Sequence, residues 1–269
     1  MTDIPSQLHS VPSRLGTSAP YEDGLFTMSL VPTPEVLHHG IVRASAVAFL
    51  IDALAGISLD QDSSAWTLTT DLSMRMRPVP ALPRLLATNT VVRQGRRSAT
   101  CTVDVTGPAG ELVASAAIGF AKVPRKEGDP PKPEVSFELA ARLFTDRPTL
   151  DDPLREAAGV RSVDAAAGVV EVEVTPSLQN PAGTLQGAMV ALVAECAVED
   201  LATERSGRPH VVTDLDLRYL TKTAAGPVRT STRLLGDDPD SPVEVLLTDQ
   251  SLNQVTTHAY ARAVPLPEA

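Results

Sequence analysis

Two acids stand out among the residues able to do chemistry, because each lies in a segment otherwise built for burial. Asp52 sits within ASAVAFLIDALAG (Ala44–Gly56) and Glu195 within AMVALVAECAVEDLA (Ala188–Ala202). A carboxylate in such surroundings is either a paired structural group or a general base or nucleophile held in reserve. Gly187 precedes the second segment. At a helix N-terminus the first N–H groups are free and carry partial positive charge, so a carbonyl placed there is polarised, and a glycine lets it approach closely. Asn180 and Gln186, just upstream with Gly183, can hold an acyl group or shape the turn. A donor for an oxyanion, together with a carboxylate that attacks or deprotonates water, suits hydrolysis at a carbonyl. Glu195 lies eight residues beyond Gly187, about 12 Å along a helix axis, so the two cannot share one reacting carbon.

The elements that must position these residues occur twice. LHHGIVRASAVAFLIDALAG from Leu37 aligns with NPAGTLQGAMVALVAECAVE from Asn180, setting Gly40 on Gly183, Arg43 on Gln186, Ala44 on Gly187 and Asp52 on Glu195. Without a gap, LTTDLSMRM from Leu68 then aligns with VVTDLDLRY from Val211, matching Thr70 to Thr213 and Arg75 to Arg218. The separation is 143 residues throughout, as from Asp52 to Glu195. Self-similarity on this scale marks a repeated structural unit.

In each half the order is an extended segment, an Ala-rich helix and then several strands, an α+β pattern. The helices are expected at Ala44–Gly56 and Ala188–Ala202, apolar around most of their circumference and therefore wrapped by sheet. The alternation in Val169–Thr175 reads as a half-buried strand, with Phe26–Val31 its weaker counterpart. Further strands are expected at Leu85–Gln94, Ser98–Thr106 and Leu112–Val123, and at Gly226–Leu235, Pro242–Asp249 and Gln254–Val264. Residues 1–21, polar and rich in Pro and Ser, read as a loose or disordered lead-in. The first repeat then covers 22–123, the Pro- and charge-rich stretch 124–134 is a linker, and 135–269 holds the second repeat behind a short helical segment broken at Pro148 and Pro153.

The net charge of −10 and an aromatic content of 3% argue against a nucleic-acid surface, which needs basic stripes with stacking aromatics. No stretch is apolar enough to span a bilayer, and no signal-peptide pattern opens the chain. Cys101 and Cys196 show no disulfide or metal spacing, which fits a reducing cytoplasm. The pair His38-His39 has no third ligand near it and reads as loop, so no metal is expected. Cys196 has no histidine placed to activate it and reads as core. Walker, dinucleotide, G-x-S-x-G and H-E-x-x-H motifs are absent.

Asn180-Pro-Ala-Gly183-Thr-Leu-Gln186-Gly187, followed by an acid and then VVTDLDLRYL, resembles the hotdog acyl-CoA thioesterases of the PaaI-like superfamily, in which Asn-x-x-Gly-x-x-His-Gly-Gly precedes an acidic helix and a strand with Ser or Thr before Asp. Here Gln186 stands at the His position, Ala188 at the second Gly and Glu195 at the Asp. In the first half Leu37, Arg43 and Ala44 depart further. The resemblance implies a double hotdog, each repeat a helix wrapped by antiparallel sheet, acting on acyl-CoA with no cofactor beyond the coenzyme A of the substrate. Such chains are expected to form homo-oligomers. In that family the acid comes from the neighbouring subunit, here the other repeat. One site would then combine Asn180, Gln186 and Gly187 with Asp52 and Thr70, the threonine orienting the water or the carboxylate. The reciprocal site, with Glu195, Thr213 and Arg43, lacks the Asn and the glycine and reads as degenerate or in reserve, Arg43 pairing with Glu195. Arg75, Arg77, Arg218 and Lys222 are candidates for coenzyme A phosphates, and Asp71 and Asp214 read as structural. Two other readings stay open: a hotdog enoyl-CoA hydratase or dehydratase, which would need a site histidine, and a non-catalytic acyl-CoA-binding protein.

Overall fold

The structure, a computed structural model, describes residues 10–60, 63–128, 132, 136–145 and 147–266. Its main sheet has twelve strands: β1 (Thr17–Ser18), β2 (Met28–Leu30), β3 (Ala65–Met76), β4 (Leu85–Gln94), β5 (Ser98–Thr106), β6 (Leu112–Pro124), β7 (Arg161–Asp164), β8 (Val169–Val172), β9 (His210–Tyr219), β10 (Val228–Leu234), β11 (Val243–Asp249) and β12 (Gln254–Pro265). Among the described residues four α-helices accompany it: α1 (Ala44–Leu59), α2 (Phe137–Leu143), α3 (Leu154–Ala157) and α4 (Gly187–Ser206). All pairings in the sheet are antiparallel.

The strand order is β1-β2-β4-β5-β6-β3-β9-β12-β11-β10-β8-β7. Counted outward from the central β3–β9 pair, the two arms run in the same order, β6-β5-β4-β2 and β12-β11-β10-β8. Helix α1 packs on one arm, α4 on the other, and the helices pack on each other. Side chains that would be water-soluble on a free helix are scarce here for that reason: α1 buries eleven of its sixteen residues and α4 fourteen of twenty.

Two local features reach the site. In β3 the pairing with β6 passes from Asp71 opposite Gly119 to Thr69 opposite Phe120, leaving Thr70 unpaired. In β9 the pairing with β12 skips Thr213 in the same way. Each skip is a bulge, which turns the strand's side-chain alternation over at that point.

Three expectations about the segments outside the repeats change. Residues 1–9 lie outside the described residues, but from Ser10 the lead-in is packed: Val11–Arg14 forms a 3-10 turn, and Val11, Leu15 and Ala19 are buried. Their apolar side chains gain more from the core than the polar neighbours gain from water. Within the linker, residues 129–131, 133 and 134 lie outside the described residues, while Lys132 is buried and donates to Asp60 at 2.7 Å. Helix α2, grouped above with the second repeat, packs on α1 and on the first half's hairpin, Phe137 stacking on Phe26 at 4.9 Å between centroids. Contact of Phe137 with the rings of Phe26 and Tyr21 holds it on that side.

Candidate active site

The N-terminus of α4 meets the middle of α1. Gln186 caps α4, its side-chain oxygen accepting from Ala188 N–H at 2.6 Å, while its amide donates to Asp52 Oδ2 at 3.1 Å. A glutamine can do both at once because it carries an acceptor and donors on one group. Asp52 Oδ1 accepts from the Thr69 hydroxyl at 2.6 Å. A β-carbon added to Gly187 would stand 3.2 Å from Asp52 Oδ2 and 3.2 Å from the Tyr219 hydroxyl, so this corner accepts only a glycine without displacement. Tyr219 donates to Gly187 O at 3.0 Å. The Gly187 N–H itself donates to no acceptor among the described residues. Asn180 Oδ1 accepts from Ala182 and Thr184 N–H at 3.0 and 3.2 Å, closing the turn whose Gly183 has φ 73°.

Burial pushes the Asp52 carboxyl above its ordinary range, and the bonds from Thr69 and Gln186 pull the other way. Burial and the nearby Asp52 together push the Tyr219 phenol up. A carboxylate, a free helix-end N–H and a hydroxyl thus surround one point, a set able to activate water against a carbonyl.

That point opens on a cavity of about 470 Å³ bounded in part by Thr69, Thr70, Tyr219, Thr221, Lys222 and Thr223. Thr70 lines this cavity, yet its hydroxyl donates to Asp71 at 2.8 Å, not to Asp52. The bulge at Thr70 explains this correction, since it brings Thr69 to the face toward α1. Of the basic residues considered for phosphate, Lys222 alone borders the cavity. Arg75 is held by Asp214 at 3.0 Å and Asp216 at 2.8 Å, and Arg218 donates to Leu217 O, both on the outer surface. Arg77 does not border this cavity.

The reciprocal arrangement is different. Glu195 Oε1 accepts from Ala44 N–H at 2.7 Å, and Oε2 accepts from the Ser45 N–H and hydroxyl at 3.2 and 2.5 Å. The acid therefore occupies the helix-end donors itself. Arg43 pairs with Glu195 at 3.8 Å, as expected, and also donates to Glu199 at the shorter distance of 2.9 Å. His38, expected in a loop, pairs in a two-residue strand and binds Arg43 at 3.2 Å through Nδ1. Burial, with Arg43 beside it, lowers His38 to about 3, and burial pushes Glu199 up to about 8 against the pull of Arg43. Thr213, the match of Thr70, donates to Asp214 at 2.9 Å. Cys196 is buried, and burial pushes its thiol up, away from nucleophilic use.

Three residues of these clusters escaped sequence reading. Thr69 aligns with Val212, Tyr219 with Met76 and Glu199 with Gly56. Glu199 alone left a usable sign, since four residues after Glu195 it shares that residue's helical face.

No protein-family model matches the chain, and no curated protein is similar to it. Solved structures match it along nearly its whole length. They include an acyl-ACP thioesterase from Bacteroides thetaiotaomicron (TM-score 0.62, 12% identity, 91% of this chain and 100% of that one). The 12:0-ACP thioesterase from Umbellularia californica is similar (0.62, 11%, 90% and 98%). So is a conserved protein of unknown function with hot dog fold from Alicyclobacillus acidocaldarius (0.60, 12%, 97% and 98%). These likenesses establish the fold: the chain has the hotdog fold, helices with a large antiparallel sheet. Among the described residues no helix is long and apolar enough to cross a membrane.

Proposed function

We propose that the chain is a tandem pair of hotdog repeats that hydrolyses an acyl-CoA thioester at one site between them. The observation that carries this reading is Asp52 of the first half set against the Gly187 corner of α4, with Gln186 bonded to both Asp52 and the helix start. In this reading the substrate carbonyl lies against the Gly187 N–H, Asp52 takes a proton from water, and the resulting hydroxide attacks the carbonyl carbon. The oxyanion is held at the helix end, the C–S bond then breaks, and the thiolate leaves to be protonated. Thr69 holds Asp52 in place. The hydroxyls of Thr221 and Thr223 suit the amides of a pantetheine arm, and Lys222 suits a phosphate at the cavity's edge.

Thioesterases among the structural neighbours support hydrolysis. The hydratase reading is weakened because, among the described residues, no histidine borders the cavity. The test is release of free thiol from a panel of acyl-CoA and acyl-carrier-protein thioesters. Turnover of the CoA series with an inert Asp52→Asn variant is the expected result. Turnover of the carrier-protein series alone would reassign the carrier, and binding without turnover of either would favour a binding protein.

A further inference from the structure

Asp52, Asn180 and Gln186 also border a second cavity of about 290 Å³. Of the residues bordering both spaces, Asp52 and Gln186 mark where the thioester would lie, so the residues bordering only the second space face the part of a ligand away from the reacting carbon. They include Phe49, Ala53 and Ile57 of α1, together with Pro12, Phe144 and Arg147. Pro12 lies in the lead-in turn, and Phe144 and Arg147 lie in the stretch after α2.

Arg147 is unusual in that wall. Its guanidinium lies over the Phe144 ring, 4.3 Å from the centroid, and its Nε donates to Leu143 O. It has no carboxylate partner among the described residues, and burial holds it below its ordinary value. Asp60, which borders both cavities, is already matched at 2.7 Å by Lys132, itself in the wall of the second. The cavity's lining is thus mostly apolar, and among the described residues Arg147 is a cation there without a carboxylate partner; a partly desolvated cation favours a ligand that brings it an anion.

We propose that this chamber is the acyl subsite and takes a short acyl group whose distal end carries a carboxylate, bound by Arg147. At roughly 30 Å³ for each water-sized unit, its volume admits about ten non-hydrogen atoms. The proposal rests on the thioesterase reading for the placement of the thioester.

The test compares octanoyl-CoA with its ω-carboxylated counterpart, octanedioyl-CoA, binding to the Asp52→Asn protein by calorimetry. The ω-carboxylated thioester should bind at least about tenfold more tightly, the range of one charge-assisted hydrogen bond. Arg147→Met should erase that preference while leaving octanoyl-CoA affinity nearly unchanged, Arg147→Lys should keep part of it, and Phe144→Trp should weaken both ligands by filling the chamber. Equal affinity for the two thioesters, a preference that survives Arg147→Met, or failure to bind either would overturn the proposal. Turnover by the unaltered protein is read separately. Binding preference without turnover sinks the hydrolase reading alone, and turnover without preference sinks this inference alone.

Discussion

The acid of each half reaches toward the helix start of the other, and the two encounters end differently. Asp52 is held back by Thr69 and Gln186 and leaves the Gly187 N–H free. Glu195 is one methylene longer, meets Ala44 and Ser45 in place of Gly187 and Ala188, and takes their N–H groups for itself. Arg43, at the position of Gln186, adds a cation that draws in Glu199 and His38. One scaffold thus yields an open polar corner and a closed ionic cluster. The difference lies in whether the acid or an incoming ligand satisfies the helix end.

The sharpest way to break this comparison is to neutralise each acid in turn. Asp52→Asn should lower kcat by about a thousandfold, as loss of a general base in a preorganised site does. Glu195→Gln should leave kcat within about threefold if the protein stays folded. Steady-state thiol release on the same acyl-CoA decides it, and comparable losses from both variants would mean that both corners work.

The closed cluster should reveal itself in stability instead. Arg43→Met removes the cation beside the buried Glu195 and Glu199 and should cost about 3 to 5 kcal/mol by urea denaturation. Glu199 adds a pH signature. Its folded-state value of about 8 lies above the ordinary 4.5, so the folded chain binds this proton more tightly than the unfolded chain does. The stability it contributes is full below about pH 4.5 and lost as pH rises through 8. His38, lowered to about 3 in the fold, makes stability rise with pH up to the ordinary imidazole value and adds no pH dependence above it. Between about pH 6.5 and 8 the unaltered protein should therefore lose stability that Glu199→Gln retains.

At the open corner, Gly187→Ala places a methyl 3.2 Å from both Asp52 Oδ2 and the Tyr219 hydroxyl. It should cost about a hundredfold in kcat/KM, the penalty for misplacing reacting groups by a fraction of an ångström to an ångström. Ala44→Gly in the other half should leave activity unchanged.

Both long helices and most of the long strands were legible because burial marks the sequence, as an unbroken apolar run in α1 and a period of 2 in strands such as β11. Asp52, Gln186 and Gly187 were legible because their spacing repeats a pattern. What could not be read were contacts set by the third dimension. Phe144 and Arg147 border the second cavity beside Asp52 from some ninety residues away, and nothing periodic announces that. Arg75 looked available for a phosphate only because its acids, Asp214 and Asp216, lie across the β3–β9 seam.

The threonine beside Asp52 gives the smallest and most discriminating test, since sequence and structure name different residues. On an unbroken strand Thr70 would share a face with the buried Leu72 and Met74. The bulge removes Thr70 from the ladder and shifts that face to Thr69, whose hydroxyl lies 2.6 Å from Asp52. Val212, its match in the other half, cannot make such a bond, in keeping with a corner that holds no free acid there. Thr69→Val keeps the shape and removes one hydrogen bond to the carboxylate. It should reduce kcat by about tenfold, the worth of one bond to a charged group. That same bond pulls the Asp52 carboxyl downward, so its loss should move the acidic limb of the kcat/KM profile to higher pH. Thr70→Val leaves Asp52 untouched and should change neither. A larger effect from Thr70→Val would mean that the strand runs without its bulge when substrate binds.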